Sequence, residues 1–284
     1  MIISIASGKG GTGKTTVATN LALSLGEDVS LLDCDVEEPN AHLFLHPTIT
    51  SQTSVSTFIP KIDEDLCTGC KKCAEICRFS ALAVVGQKVL TFPELCHSCE
   101  GCMEVCDENA ISPDQRELGV LEAGNAGAVN YYSGRLRVGE AMSPPLIKRV
   151  RTKENESNTT IIDAPPGTSC PVIAAMKGAD FVLMVTEPTP FGLHDLRLAV
   201  EAVKVLGIPS GLVVNRSDLG DESVREYAAS EGLEVLMEIP FERKIAEAYS
   251  QGIPIVEMFP EWEEKFQSLY RRIEGVARAE EGGR

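Results

Sequence analysis

No stretch of this 284-residue chain offers the roughly 18 uncharged apolar residues that cross a bilayer, so no membrane span is expected. Basic residues are scarce as well: 26 Lys and Arg stand against 42 Asp and Glu, a net charge of -16. Nucleic-acid binders present a basic face, and no nucleic acid is expected as a partner. Histidine is sparse. His42, His46, His97 and His194 are scattered, and only His97, inside the second cysteine run, lies near a candidate metal site, where it is not expected to be a ligand. The opening MIISIAS has neither the charged leader nor the small-residue cleavage site of a secretory signal. The expected compartment is a reducing cytoplasm, where 10 cysteines point to metal or redox chemistry rather than disulfides. Low-complexity tracts are missing too.

What the chain does have is an alternation of short apolar runs with helical periodicity. IISIA at residues 2–6 is followed by a Gly-rich loop, a helical TTVATNLALSL stopping at Gly26, and a second apolar run in DVSLLDCD. That order of strand, loop, helix and strand predicts a mostly parallel sheet with helices on its faces. The pattern breaks after about residue 45, residues 116–140 read as short strands with Gly-rich turns, and Ser143 and Pro144 read as N-cap and first residue of a helix. Alternation then resumes through TTIIDAPPG, DFVLMVTEP, SGLVVNRSD and LEVLMEIP. In the last segment Trp262, Phe266, Leu269, Ile273 and Val276 share one helical face, which predicts a final helix packed on the sheet.

GKGGTGKT, Gly8 to Thr15, matches G-x-x-x-x-G-K-[ST]. Its glycines allow backbone N–H groups to turn inward around phosphate oxygens, and the following helix adds its positive end. Nucleotide contacts are expected from Gly8, Lys9, Gly10, Gly11, Thr12, Gly13, Lys14, Thr15 and Thr16. Lys14 would reach the β- and γ-phosphates, and Thr15 would ligate Mg²⁺.

Between these halves lie two cysteine runs of identical spacing, CTGCKKCAEIC from residue 67 and CHSCEGCMEVC from residue 96. C-x2-C-x2-C-x3-C is the spacing of two-cluster 4Fe–4S ferredoxins, in which the fourth cysteine of each run ligates the other cluster. The expected ligand sets are Cys67, Cys70, Cys73 and Cys106 for one cluster, and Cys96, Cys99, Cys102 and Cys77 for the second. A zinc ribbon would use four cysteines, whereas eight stand here in two registers. The expected domains are residues 58–115 for an inserted ferredoxin-like α+β unit, and 1–57 with 116–284 for a discontinuous α/β unit. FSAL and ENAI, after the two runs, look like the short helix and strand of a ferredoxin.

With Lys9 after its first glycine, the loop resembles the deviant phosphate loop of the MinD/ParA superfamily of P-loop ATPases, which includes the nitrogenase iron protein and the Mrp-type iron–sulfur carriers. LLDCDVEEPNAH resembles the first switch of that class, IIDAPPG its second, and VVNRSD its adenine-binding segment. The resemblance implies that Asp35 positions the attacking water, that Asp163 holds Mg²⁺, and that Gly167 offers its N–H to the γ-phosphate. It further implies that Asn215, beside Arg216, reads the base, and that Lys9 acts across an ATP-bound homodimer. The whole chain resembles the narrower group in which a two-cluster ferredoxin domain is inserted into such an ATPase. One departure is that Arg78 and Asp107 stand where ferredoxins usually carry proline.

These features point to an ATP-hydrolysing iron–sulfur protein in which nucleotide state gates electron transfer to a protein redox partner. Assistance to metal-cofactor assembly on a partner is the alternative, although no C-x-x-C follows Cys106. A positioning ATPase would need a membrane helix or a basic DNA-binding surface, and neither is evident. Cys34 and Cys170 read as small buried side chains.

Overall fold

The computed structural model describes residues 1–155 and 158–282, with side chains to 279. The strands are β1 (Ile2–Ala6), β2 (Val29–Asp33), β3 (Thr48–Ile62), β4 (Leu82–Val85), β5 (Lys88–Thr91), β6 (Ile111–Ala126), β7 (Val129–Leu136), β8 (Thr159–Asp163), β9 (Phe181–Thr186), β10 (Ser210–Asn215) and β11 (Val235–Ile239). The helices are α1 (Lys14–Leu25), α2 (His42–Leu45), α3 (Lys72–Ile76), α4 (Gly101–Glu104), α5 (Pro144–Arg151), α6 (Cys170–Met176), α7 (Pro190–Leu206), α8 (Ser223–Ser230), α9 (Arg243–Ser250), α10 (Ile255–Met258) and α11 (Glu261–Gly282). Nine strands form one sheet in the order β11-β10-β9-β1-β8-β2-β7-β6-β3. The first seven in that order are parallel, and β6 and β3 add antiparallel pairs at one edge. This is the α/β architecture that the alternation predicts.

Successive strand residues point to opposite faces, so a strand buried on both sides reads as continuously apolar. On one face Ile3, Ile5, Leu31 and Leu183 pack with Val17 and Leu21 of α1 and with Trp262, Phe266, Leu269 and Ile273 of α11. On the other, Leu32, Ile162, Val182 and Met184 pack with Leu146 of α5, Val172 of α6 and Leu196 of α7. The final helix therefore buries the stripe its periodicity predicts, with Val276 partly buried beside it.

Two segments are more regular than their sequence suggests. Residues 48–62, polar and Ser/Thr-rich, form the 15-residue strand β3, and β6 is one 16-residue strand rather than several short ones. β-branched residues suit a strand, and β3 stays polar because it is the sheet edge and its first seven residues are exposed. Gly119–Ala126 of β6 pair with β7, while Ile111–Glu117 pair only with Ser56–Ile62 of β3. A two-stranded ribbon thus runs past the carboxyl ends of β2 and β7 and leads into the cysteine segment. Both strands run through residues 58 and 115.

Candidate functional site

Every chemically suggestive residue of the α/β part lies where a parallel strand ends. Asp33 ends β2, Asp163 ends β8, Asn215 ends β10, and the phosphate loop leaves β1 between β9 and β8. In open α/β sheets this edge is where ligands bind. The loop bends through left-handed Gly11 and Gly13, with φ of 78° and 100°. At Gly8 a Cβ would fall 2.1 Å from the Asp195 carbonyl oxygen, so only glycine lets the loop pass α7.

Lys14 is buried, and burial lowers its pKa against the opposing pull of Asp163 and Asp35. Thr15 Oγ1 donates to Asp163 Oδ2 at 2.6 Å, whereas Asp163 Oδ1 is buried with no partner. Burial raises Asp163 to about 6 against Lys14 and the Thr15 bond, and burial followed by Asp163 raises Asp35 to about 7. Asp33 is pushed well above the usual carboxylate range by burial and then by Asp163. A buried group of mutually repelling carboxyls with one orphaned oxygen, next to a threonine hydroxyl, fits a hard divalent cation such as Mg²⁺.

A cavity of about 390 Å³ opens over this edge. Gly10, Gly11, Gly13, Lys14, Thr15, Thr16 and Asp35 line one wall, and Asn215 and Arg216 another. Gly8, Lys9, Thr12, Asp163 and Gly167 lie outside that lining. Thr12 is buried, and its carbonyl accepts from Asn215 Nδ2 at 2.8 Å, tying the end of β10 to the loop. Gly167 is left-handed, and its N–H donates to Ser7 O at 3.0 Å. Lys9 Nζ sits 3.9 Å from Glu187, which also accepts from Arg216 at 2.6 Å. Sequence reasoning missed Glu187. A carboxylate one residue past the central strand β9 was the available signal. It also missed Phe241, Ile245 and Tyr249, which wall the cavity from beyond β11 with no local motif to mark them.

The cysteines gather into two sets. Cys67, Cys70, Cys73 and Cys106 line one pocket. Cys77, Cys96, Cys99 and Cys102 line a second. The backbone repeats as well: Gly69 and Ser98, Lys71 and Glu100, and Ser80 and Asn109 are all left-handed, at matching positions of the two runs. Non-glycine residues hold that conformation only where their surroundings impose it. In each run the fourth sulfur accepts a backbone N–H at 3.3 Å, Cys77 from Ala81 and Cys106 from Ala110. Among the described residues no three His, Cys, Asp or Glu side chains converge as one metal ion requires. Four soft thiols lining each pocket, three from one run and one from the other, fit an iron–sulfur group better than a single tetrahedral zinc. The short helices α3 and α4 carry the third cysteine of each run and end before the fourth, and FSAL and ENAI pass without a helix through a turn into β4 at Leu82 and β6 at Ile111. Of the two other cysteines, Cys34 is buried and Cys170 is exposed at the start of α6, contrary to its expected burial.

Residues 3–255 match the CobQ/CobB/MinD/ParA nucleotide binding domain, and the chain belongs to that family of nucleotide-binding P-loop proteins. It is 30% identical to an uncharacterized protein of Methanocaldococcus jannaschii over 98% of this chain and 96% of that one. It is also 26% identical to the iron–sulfur cluster carrier protein of the same organism, over 95% of this chain and 83% of that protein. In fold it is similar to the septum site-determining protein MinD of Pyrococcus horikoshii complexed with Mg-ADP. There the TM-score is 0.60 and the identity 23%, over 97% of this chain and 96% of that one. Among the described residues no helix is long and apolar enough to cross a membrane.

Proposed function

We propose that this protein is an ATP-hydrolysing iron–sulfur protein whose nucleotide state gates electron transfer through two 4Fe–4S clusters. The observation that carries the reading is the sorting of eight cysteines into two quartets, joined through β3 and β6 to the sheet that bears the nucleotide cavity. Each quartet draws three ligands from one run and one from the other, as two-cluster ferredoxins do. When bound, the clusters supply one-electron redox chemistry. This chain contributes the thiolates and the N–H donors at Cys77 and Cys106.

Phosphoryl transfer requires positioning and charge neutralisation more than covalent help. Gly10 to Thr16 would cradle the phosphates, and Lys14 would balance charge on the transferred group. Thr15 and Asp163 would hold Mg²⁺, and Asp35 would orient the water. That water bonds to the γ-phosphorus as the oxygen bridging to the β-phosphate leaves with ADP. Asn215 and Arg216 stand on the base side. Offering the Gly167 N–H to the γ-phosphate requires its bond to Ser7 to open. Lys9, now beside Glu187, would swing away to reach the nucleotide of a second subunit, so the active species is an ATP-bound homodimer. The acidic cysteine segment, with five basic and ten acidic side chains in residues 58–115, suits a basic protein redox partner. We place the protein in the cytoplasm.

The test is an anaerobic EPR redox titration with and without Mg-ATP. A coupling of about 1.4 kcal/mol moves a one-electron midpoint by roughly 59 mV. No shift, with both clusters intact, would sink gated electron transfer. The second reading, ATP-driven assistance to metal-cofactor assembly on a partner, is favoured by relatives named iron–sulfur cluster carrier proteins. Two closed quartets argue for resident clusters rather than cargo.

A further inference from the structure

A continuous line of contacts joins the nucleotide cavity to the second cysteine quartet. It begins just after Asp35. Leu136 N–H donates to Val36 O at 2.8 Å, and Ser143 Oγ donates to Glu37 Oε1 at 2.9 Å. Ser143 precedes α5, where its hydroxyl would ordinarily cap the helix, yet no side-chain cap bond forms. Its hydroxyl is committed to Glu37 instead. One residue earlier, Met142 N–H donates to Glu140 Oε1 at 3.1 Å. The Glu140 side chain is fully buried and takes both arms of the Arg116 guanidinium, Nη1 to Oε2 and Nη2 to Oε1.

Arg116 lies on β6 within the ribbon, just beyond the pairing with β7, and is in register with Thr57 of β3. Thr57 Oγ1 meets Ser98 Oγ at 2.5 Å, and Ser98 Oγ donates to Phe58 O at 2.6 Å. Ser98 stands between Cys96 and Cys99. The line thus runs from the carboxylate edge through Glu37, Ser143, Glu140, Arg116 and Thr57 to the loop bearing two cysteines.

A buried ion pair is a weak source of stability, because apolar residues of equal volume serve as well or better. What a bidentate Arg–carboxylate pair supplies is fixed geometry. Here that geometry is applied at the root of the ribbon, from which a small rotation of the strands is carried toward the cysteine segment. We infer that Arg116 and Glu140 are positioning residues that couple the Asp35–Glu38 segment to the Cys96–Cys99 loop. Coupling of binding and redox equilibria is reciprocal, so reducing the second cluster would in turn alter nucleotide affinity. The inference rests on the gated redox function proposed above.

The experiment compares holoprotein with Thr57→Val, Ser143→Ala and Glu140→Gln variants, each titrated by EPR with and without Mg-ATP. None of these residues ligates a cluster or lines the nucleotide cavity. The expected result is full iron content and unchanged phosphate release, with less than half of the wild-type Mg-ATP shift of the midpoint. Thr57→Ser, which keeps the hydroxyl, should restore the shift. Should Glu140→Gln fail to fold, the two milder variants still decide the matter. A full shift in them overturns the coupling line and leaves gating intact. No shift in the wild type, with both clusters loaded, overturns gating itself and this inference with it.

Discussion

Around the phosphate loop, Ile3, Ile5, Leu21, Leu31, Phe181 and Phe266 are wholly buried in one continuous layer. In the cysteine segment the buried cluster comprises only Cys73, Leu82, Cys102 and Ile111. Seven large apolar side chains between Leu66 and Leu95 are exposed there, too many for burial to organise the segment. Units with so small a core depend on metals or cross-links. The nucleotide half is held by burial, and on the proposed reading the cysteine segment is organised by the clusters its thiols would hold. If that reading holds, the difference teaches how one chain can join a unit ordered by its apolar core to a second whose order depends on a ligand.

Stripping iron with a chelator tests the contrast most severely. Limited proteolysis should cut between residues 63 and 110, while the thermal transition of the α/β part persists. A loss of both together would break the comparison. Phe266→Ala should do the reverse, costing about 3–5 kcal/mol in the α/β unit while the cluster EPR signals remain. Chemical denaturation followed by tryptophan fluorescence from Trp262 measures it. Lys14→Ala should lower phosphate release roughly 10²–10³-fold with iron content unchanged.

A smaller effect is expected at Gly134, where an added Cβ would sit 2.6 Å from Val36 Cγ1 and 2.8 Å from Val150 Cγ2. Gly134→Ala should cost about 1–3 kcal/mol and slow hydrolysis, since Val36 follows Asp35. The smallest effect is in pH. Asp163 and Asp35 are raised from 3.8 to about 6 and about 7, so the ligand-free fold holds extra protons between those values. Its stability should fall as pH rises through that window, and Mg-ATP should flatten the profile in differential scanning fluorimetry. A ligand-free stability that rises there would contradict the buried carboxylate group.

Local patterns made much of this legible. Gly8 to Thr15 announced a phosphate loop because its chemistry is written in consecutive residues. The cysteine runs did the same, and the buried strands were readable because a two-sided strand must be apolar throughout. β3 was not, because an edge strand faces water and its Ser and Thr residues resemble a loop. Ser143 was read as a cap, since nothing in its neighbourhood discloses Glu37, 106 positions earlier.

The sequence by itself determined the alternation of the buried parallel strands with their helices, the phosphate loop and the two matched cysteine runs, because each rests on short-range spacing. Only the tertiary structure decided that β3 and β6 form a ribbon past the nucleotide edge. It alone brought Glu187 to Lys9 and Arg216, and joined Glu140 to Arg116 across 24 positions. These depend on which strands become neighbours, and that is set by burial summed over the whole sheet rather than by any local run of residues.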